Sequence, residues 1–363
     1  MRRFNYTGPV YEDEHYVVKR EQLYIDFKSK ADEGRYFAIF APRQMGKTTF
    51  LKDVIRRINQ GNHHITINLD FERYRGIERE EFYLLLKKDL TRAITKRIRE
   101  IKCEDRERIE EYINKTDITS HISYYEFIEK LGRLLPDKRI VILIDEFDAV
   151  PIKITETFLY TLRDIYLKRK EEEAFSIYSI GLVGVKNIRE LNFGSTSPFN
   201  IATQIKIENF TKEECYELIN QYIEETGHGF EDRVIDKIHY ETSGHPFLVN
   251  RLCAILVEDI VKDKTKTITM TEMETGLSTL LKEHNSNFDT LKNNAERYEE
   301  TVRHILFAFK EIGYLPHNRD QEKLIMYGII KEDDGNCEIS SPIYKWSYLT
   351  QGIRSSGSLK RIR

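Results

Sequence analysis

Short apolar stretches alternate along the chain with longer amphipathic ones, and this pattern predicts strands separated by helices. Five strands are predicted, at residues 36–41, 64–70, 139–144, 174–185 and 205–207. The third is apolar and β-branched after its initial Arg139, which suits a central parallel strand buried on both faces. Because helices separate these strands, we expect an α/β fold with a parallel sheet and right-handed crossovers.

Amphipathic stretches between and beyond the strands predict helices. We expect them at residues 50–60, 78–102, 124–135, 154–170, 211–222, 231–240 and 246–261, with a charged connector between the second and third. The helix at 211–222 starts with a capping box, because Thr211 precedes Glu214 by three positions. The last three helices predict a small lid on the sheet domain.

The C-terminal part has a different order of elements. From Ala295 the pattern predicts a long amphipathic helix, a turn at Pro316, a short helix at 322–327 and a hairpin at 328–339. The hairpin signal is Asp334-Gly335 between two strand-like runs. Helix, helix, hairpin is the winged-helix order. We therefore expect a sheet core at 1–208, a helical lid at 209–285, a winged-helix domain at 286–350 and a basic tail at 351–363.

The turn after the first predicted strand carries candidate chemistry. It is Ala41-Pro42-Arg43-Gln44-Met45-Gly46-Lys47-Thr48-Thr49 and leads into the first helix. A loop that feeds a helix N-terminus directs backbone N–H groups and the positive end of the helix dipole at one point, which favours a polyphosphate. We expect Lys47 to reach the outer phosphates and Thr48 to hold Mg²⁺. The usual pattern has Gly in place of Ala41, and Gly before a small polar residue also starts ordinary helices.

A second motif follows about a hundred residues later. Asp145 and Glu146 come directly after the apolar run, at the edge where a parallel sheet collects ligands. Asp145 fits a carboxylate that holds Mg²⁺ through water, and Glu146 fits a base that polarises the attacking water. Acidic turns after strands are common, but this order behind a phosphate loop favours ATP binding and hydrolysis.

Composition limits the other possibilities. The chain has 363 residues, 40% of them hydrophobic, which is enough for an α/β domain and one or two smaller ones. Its net charge is −3, so no overall field attracts nucleic acid. The four cysteines are far apart and read as buried thiols in a reducing compartment. The start has no apolar signal region and no long apolar run occurs, so we expect a cytoplasmic protein without a membrane segment.

With these motifs in order, residues 10–260 resemble the AAA-like, STAND-type P-loop ATPases, which are signal-transduction ATPases related to origin-recognition AAA+ proteins. The loop Arg43–Thr48 is similar to the Arg-Gln-x-Gly-Lys-Ser/Thr loop of one AAA-like subfamily, in which Ala41 is less unusual. Ser197-Pro198-Phe199-Asn200 also resembles that subfamily. The resemblance implies a P-loop ATPase sheet of the additional-strand type, with ATP or ADP and Mg²⁺ as ligands.

Two other segments resemble family motifs near the adenine. Arg20-Glu21 is similar to the N-terminal Arg-Glu motif, with Lys19 where Gly is usual, and Gly244-His245-Pro246 is similar to the Gly-x-Pro motif whose Pro packs against the base. The resemblance implies nucleotide contacts from Arg20, Arg43, Gln44, Met45, Gly46, Lys47, Thr48, Thr49 and Pro246. A surface ion pair for Arg20 and an ordinary first helical position for Pro246 are equally good interpretations.

Two further roles of such ATPases stay unassigned. Arg163 and Arg189 are candidates for an arginine finger, and Ser179 is a candidate for a polar sensor on the fourth strand. A solvated helix face explains the two arginines better. We assign no role to any of the three.

The leading functional hypothesis is a molecular switch that binds Mg-ATP, hydrolyses it slowly with Glu146 and Lys47, and relays its state. In the family that the chain resembles, nucleotide sets the orientation of the lid and winged helix. No effector motif is recognisable, so we expect the output in a protein partner or in the chain's own oligomer. A scaffold that binds nucleotide without hydrolysing it is another possibility, but the presence of Glu146 argues against it.

A DNA-binding initiator or regulator is the alternative. Residues 296–349 carry ten acidic and seven basic side chains, and the predicted wing tip is Glu332-Asp333-Asp334. Phosphate contacts need Lys and Arg, so the charges disfavour DNA. The basic tail, with Arg354, Lys360, Arg361 and Arg363, keeps DNA open as a partner.

Overall fold

The computed structural model describes residues 1–61, 63–101, 103–169, 177–184, 202–283, 285–308 and 310–351. The chain divides into two compact units. The sheet unit comprises Arg20–Phe40 and Lys47–Ile207, and the C-terminal unit comprises Met1–Lys19, Ala41–Gly46 and the chain from Glu208 onward. Among the described helices, none combines the length and apolarity that crossing a membrane requires. The predicted basic tail, apart from Gln351, lies outside the described residues.

The sheet unit is built on five parallel strands, as predicted. They are β1 (Phe37–Phe40), β2 (His64–Asp70), β3 (Arg139–Asp145), β4 (Ile177–Gly184) and β5 (Thr203–Lys206), in the order β2-β3-β4-β1-β5. Every residue of β3 after Arg139 is buried, which explains its continuous apolar run. Because β1 and β3 both run parallel to β4, their carboxyl ends lie at the same edge of the sheet.

A close approach at Gly181 holds these strands in register. Gly181 of β4 pairs with Phe37 of β1 on one side and with Leu143 of β3 on the other. A Cβ at Gly181 would stand 2.3 Å from the Phe37 ring and 2.8 Å from Leu143 Cδ2. The side chains of Phe37 and Leu143 thus occupy the space that a side chain at Gly181 would need.

Among the described residues, six helices belong to the sheet unit: α1 (Glu21–Asp32), α2 (Lys47–Ile58), α3 (Arg79–Glu100), α4 (Arg106–Lys115), α5 (His121–Leu134) and α6 (Ile152–Arg169). The prediction of a plain charged connector between α3 and α5 was wrong, because α4 lies there. Its buried stripe consists of Ile109 and Ile113 alone, one turn apart among charged residues. A stripe that short gives little periodic signal. Helix α1 was also not predicted.

In the part of the C-terminal unit that the structure describes, eight helices are present: α7 (Lys212–Thr226), α8 (Asp232–Thr242), α9 (Pro246–Ala254), α10 (Met270–Lys282), α11 (Ser286–Glu296), α12 (Glu299–Phe307), α13 (Arg319–Met326) and α14 (Pro342–Gln351). The capping box is confirmed, since Thr211 Oγ1 accepts from Glu214 N and Glu214 Oε2 accepts from Thr211 N. The predicted helix 246–261 changes to a π-helical turn at Ile255–Ile260. The long helix predicted from Ala295 is wrong: α11 ends at Glu296 and α12 starts at Glu299.

The predicted hairpin is present. Strands β6 (Ile330–Asp333) and β7 (Asn336–Ile339) are antiparallel, and the two turn residues Asp334 and Gly335 both have positive φ, at 48° and 80°. This is the type I′ geometry that Asp-Gly favours. Backbone bonds from Tyr314 N to Gly335 O and from Cys337 N to Ile312 O add a short third segment to the hairpin.

The N-terminal segment belongs to the core of the C-terminal unit. Phe4 and Tyr16 pack against Tyr222 of α7, with ring centroids 5.3 and 5.7 Å from that ring. The Arg2 guanidinium also pairs with Glu225 at 2.9 Å. Residues near the start of the chain and residues more than two hundred positions later thus complete one hydrophobic cluster.

Gly244, between α8 and α9, has no room for a side chain. Its φ is +71°, and a Cβ there would stand 1.9 Å from the backbone oxygen of Phe210, whose N–H donates to Gly244 O at 2.7 Å. The Gly-His-Pro turn therefore has a structural requirement for glycine that is independent of any ligand.

We expect Gly244→Ala to lower the melting temperature more than Gly227→Ala. Gly227 has nearly the same φ, +73°, but nothing lies within 4 Å of a Cβ placed there, so it controls for backbone strain alone. The clash at Phe210 should add at least about 1–2 kcal/mol, or several degrees in a thermal-shift measurement. Equal midpoints for the two variants would contradict the close contact.

Candidate functional site

The phosphate loop lies between β1 and α2, and β1 is the fourth strand in the sheet order. Helix α2 starts at Lys47, so Thr48 and Thr49 lie in its first turn, where backbone N–H groups have no helical partner. No acidic residue occupies this turn. The positive end of the helix dipole is therefore not offset locally, which favours an anion. Lys47 is buried, with 8% of its surface exposed.

The structure brings Thr48 and Asp145 together. The Thr48 hydroxyl donates to Asp145 Oδ2 at 2.8 Å, and the backbone N–H of Glu146 donates to Asp145 Oδ1 at 3.0 Å. Asp145 ends β3 and is only 6% exposed. Both carboxylate oxygens are thus fixed by the phosphate-loop helix and by the chain after β3.

Burial is the main influence on the Asp145 carboxyl and raises its pKa above the ordinary value. The bonds from Thr48 and from the Glu146 N–H, and the charge of Lys47, lower the pKa, whereas the charge of Asp70 raises it. The balance favours the neutral form more than water does. A cation beside Asp145 would shift this balance toward the carboxylate, because an opposite charge stabilises the ionised form.

Glu146 has a backbone conformation that is uncommon for a residue with a side chain. Its φ and ψ are 52° and 37°, in the left-handed region, directly before the short 3₁₀ turn Phe147–Ala149. Such a conformation costs about 1 kcal/mol and persists where the surroundings fix it, often at functional sites. Here the Ala149 N–H bond to Glu146 O and the Glu146 N–H bond to Asp145 fix it.

Two more carboxylates lie near the ends of β2 and β4, and sequence reasoning assigned them no role. Asp70 ends β2 and pairs in register with Asp145. Asp148 packs against the end of β4, where a Cβ at Gly184 would stand 2.6 Å from Asp148 Oδ1. Asp70 ends a predicted strand just as Asp145 does, so its position at this edge was readable from the sequence.

Of the candidate sensor and finger residues, to which no role was assigned, Ser179 and Arg163 lie among the described residues. Ser179 is fully buried and donates to the Arg35 carbonyl at 2.5 Å, from the first half of β4 rather than its carboxyl end. Arg163 lies on α6. Arg189 and the Ser197–Asn200 motif lie outside the described residues.

Arg20 and Pro246 lie in different units. Arg20 precedes α1 in the sheet unit with a left-handed φ of 46°. Its neighbour Glu21 bonds the Arg57 guanidinium at 2.5 Å. Pro246 is the first residue of α9 in the C-terminal unit and is buried. Their predicted adenine contacts stay predictions.

The front half of the phosphate loop, Ala41–Gly46, belongs to the C-terminal unit. Arg43 is exposed and Met45 is buried. The Gln44 side chain, predicted to contact nucleotide, is bonded to Asn287 of α11 at 2.8 Å. The predicted nucleotide contact of Gln44 stays a prediction. Asn287 lies 243 residues away in sequence, and nothing in the local pattern identified it.

Comparison with known proteins agrees with this architecture. A Walker-type ATPase of Pyrococcus abyssi has a TM-score of 0.64 at 14% identity, over 95% of this chain and 99% of that one. The ORC2 protein of Aeropyrum pernix gives 0.49 at 13%, over 89% of each chain, and the Thermotoga maritima RuvB branch migration motor gives 0.47 at 12%, over 90% and 93%. At 14% identity, the similarity to the Pyrococcus abyssi protein concerns the fold alone.

No curated protein sequence matches the chain. The AAA-like domain family, in contrast, matches residues 6–351, which is nearly the whole length. The five-stranded parallel sheet is the one found in P-loop ATPase structures. This chain is therefore a member of the AAA-like domain family.

Proposed function

We propose that the protein binds Mg-ATP and hydrolyses it slowly. The observation that carries this proposal is the 2.8 Å hydrogen bond between Thr48 and Asp145, which joins the phosphate-loop helix to the strand that ends in Asp145-Glu146. Family membership supports it, because the matched family is AAA-like. ATP or ADP would bind at the loop, through backbone N–H groups, Lys47 and the first turn of α2.

Mg²⁺ fits the donor set of this site. The ion prefers oxygen ligands and is usually held by one or two carboxylates together with substrate phosphates and water. Thr48 and Asp145 offer a hydroxyl and a buried carboxylate whose oxygens already lie within hydrogen-bond distance. Their predicted role as the Mg²⁺ residues is part of the proposal. The ion would supply charge neutralisation on the phosphates.

Lys47 and Glu146 would carry the chemistry. Lys47 is a positive charge at the helix start, suited to the outer phosphates of the nucleotide. Glu146 follows Asp145 directly and is held in a left-handed conformation, which supports its role as the base for the attacking water. In-line attack then depends on positioning and electrostatics more than on covalent chemistry.

The proposed outcome is a switch of the STAND type and not a fast hydrolase. The C-terminal unit contains Gly244-His245-Pro246, and in this proposal that turn senses the nucleotide and passes its state to the winged-helix-like part. The exposed hairpin tip is Glu332-Asp333-Asp334, so its charge favours a protein partner or another copy of the chain over DNA.

We expect Glu146→Gln to lower ATP turnover about 100-fold or more while Mg-ATP binding persists, because it removes the base alone. Lys47→Ala should instead weaken Mg-ATP binding. A phosphate-release assay measures turnover, and a thermal-shift titration measures binding. Glu156→Gln and Lys153→Ala, both exposed on α6, are the matched controls.

Unchanged turnover in Glu146→Gln would show that another group is the base. Absence of Mg-ATP binding by the wild-type chain would refute the whole proposal. Loss of turnover in the two control variants would point to general destabilisation instead of site chemistry.

The switch proposal predicts that nucleotide state changes assembly or conformation. Glu146→Gln saturated with Mg-ATP should differ from the wild type with Mg-ADP in sedimentation velocity, or in hydrogen exchange of the C-terminal unit. Lys47→Ala under both conditions is the control. Identical profiles in both measurements would contradict the switch proposal, although the protein could still hydrolyse ATP.

The alternative, DNA binding through the hairpin, predicts a salt-dependent affinity for duplex DNA. We expect fluorescence anisotropy to show none at about 0.15 M salt, because the hairpin tip is acidic. Binding that strengthens in Asp333→Asn but weakens in Arg319→Ala, on the helix before the hairpin, would favour the DNA function instead.

A further inference from the structure

The phosphate loop is tied to the C-terminal helices by its Gln44 side chain. The amide is held at both ends: Asn287 Nδ2 donates to Gln44 Oε1 at 2.8 Å, and Gln44 Nε2 donates to Ser286 Oγ at 3.4 Å. The backbone of Gln44 is left-handed, with φ of 61°. A residue in this conformation is strained, so the side-chain bonds help to fix the loop in this shape.

Asn287 is oriented from its other end. It is 5% exposed, and its Oδ1 accepts from the Tyr344 hydroxyl of α14 at 3.1 Å. Because that donor occupies the oxygen, the amide nitrogen is the group directed at Gln44. Burial makes this arrangement specific, since loss of one partner would leave a buried polar group without a bond.

The Tyr344 ring extends the connection to the lid turn. It lies edge-on to the ring of His245, the middle residue of Gly-His-Pro, with centroids 6.1 Å apart and planes at 72°. Phe288 also packs edge-on against the Tyr344 ring, with centroids 6.2 Å apart. Tyr344 therefore contacts both the lid turn and the residue that orients Gln44.

A second contact ties the loop to the same part of the chain. A Cβ at Gly328, just before β6, would stand 3.0 Å from Pro42 Cγ, so Pro42 packs directly on the Gly328 backbone. The loop is thus held at Pro42 and Gln44 by residues from the last eighty positions of the chain. These contacts explain why Ala41–Gly46 groups with the C-terminal unit.

We propose that Asn287 and Tyr344 are positioning residues for the phosphate loop, so that nucleotide affinity depends on the docking of α11 and α14 against Gln44. The inference rests on the proposed ATP binding and adds the path by which the C-terminal helices act on it. Coupling of this kind is reciprocal, so bound nucleotide must also stabilise α11 and α14.

The test is a double-mutant cycle on the full chain, with the Kd for Mg-ATP measured by calorimetry. We expect Gln44→Ala and Asn287→Ala each to weaken binding about fivefold, the value of one net hydrogen bond, and the double variant to be no weaker than the weaker single variant. Asn293→Ala, exposed on the same helix, should bind as the wild type does.

Two further measurements separate positioning from simple support of the fold. Tyr344→Phe keeps the ring and removes only the hydroxyl, so it should weaken binding in the same direction, and it replaces Asn287→Ala in the cycle if that variant does not fold. Hydrogen exchange should show Mg-ATP protecting α11 and α14 in the wild type, and this protection should be lost in Gln44→Ala.

Additive effects of the two substitutions, or unchanged or tighter binding in Asn287→Ala, would overturn the inference while the wild type still bound Mg-ATP. Equal losses in Asn293→Ala would overturn it as well. A wild-type chain that binds no Mg-ATP would instead refute the proposed function itself, and the coupling with it.

Discussion

Strands β1 and β3 both pair with β4, and the rest of the site depends on this shared pairing. Gly181 faces Phe37 of β1 and Leu143 of β3 at one level of the sheet, and its missing side chain admits both. Strands in register at this level end at the same edge, so Thr48 after β1 and Asp145 at the end of β3 meet at 2.8 Å. The position of Thr48 beside Asp145 thus depends on the packing around Gly181 within the sheet.

The site combines features that weaken a fold without a ligand. Burial raises the pKa of the Asp145 carboxyl, Asp70 adds a like charge beside it, and Glu146 and Gln44 have left-handed backbones. The two carboxyl features become less unfavourable beside a cation, because an opposite charge stabilises the ionised form. Such local conflicts are expected where function, and not stability, selects the residue.

Local pattern identified the parts of the structure that depend on neighbours in sequence. The buried strand β3, the phosphate loop, the Thr211 capping box and the Asp334-Gly335 turn all have short-range physical causes, and their elements are as predicted. Helix α4 was not predicted, because its buried stripe consists of only two isoleucines. The break between α11 and α12 was not predicted, because the amphipathic pattern of the sequence continues through it. The Gln44–Asn287 bond joins positions that only the tertiary fold brings together, so no periodicity reports it.

The packing of Phe4 and Tyr16 on Tyr222 has a consequence for the order of folding during synthesis. The sheet unit is complete in sequence once Ile207 has left the ribosome, whereas the first nineteen residues must wait for α7. Domains generally fold as units as the chain emerges. Most of the sheet unit lies in sequence between two parts of the C-terminal unit, so residues 1–19 complete their packing only after α7 has been made.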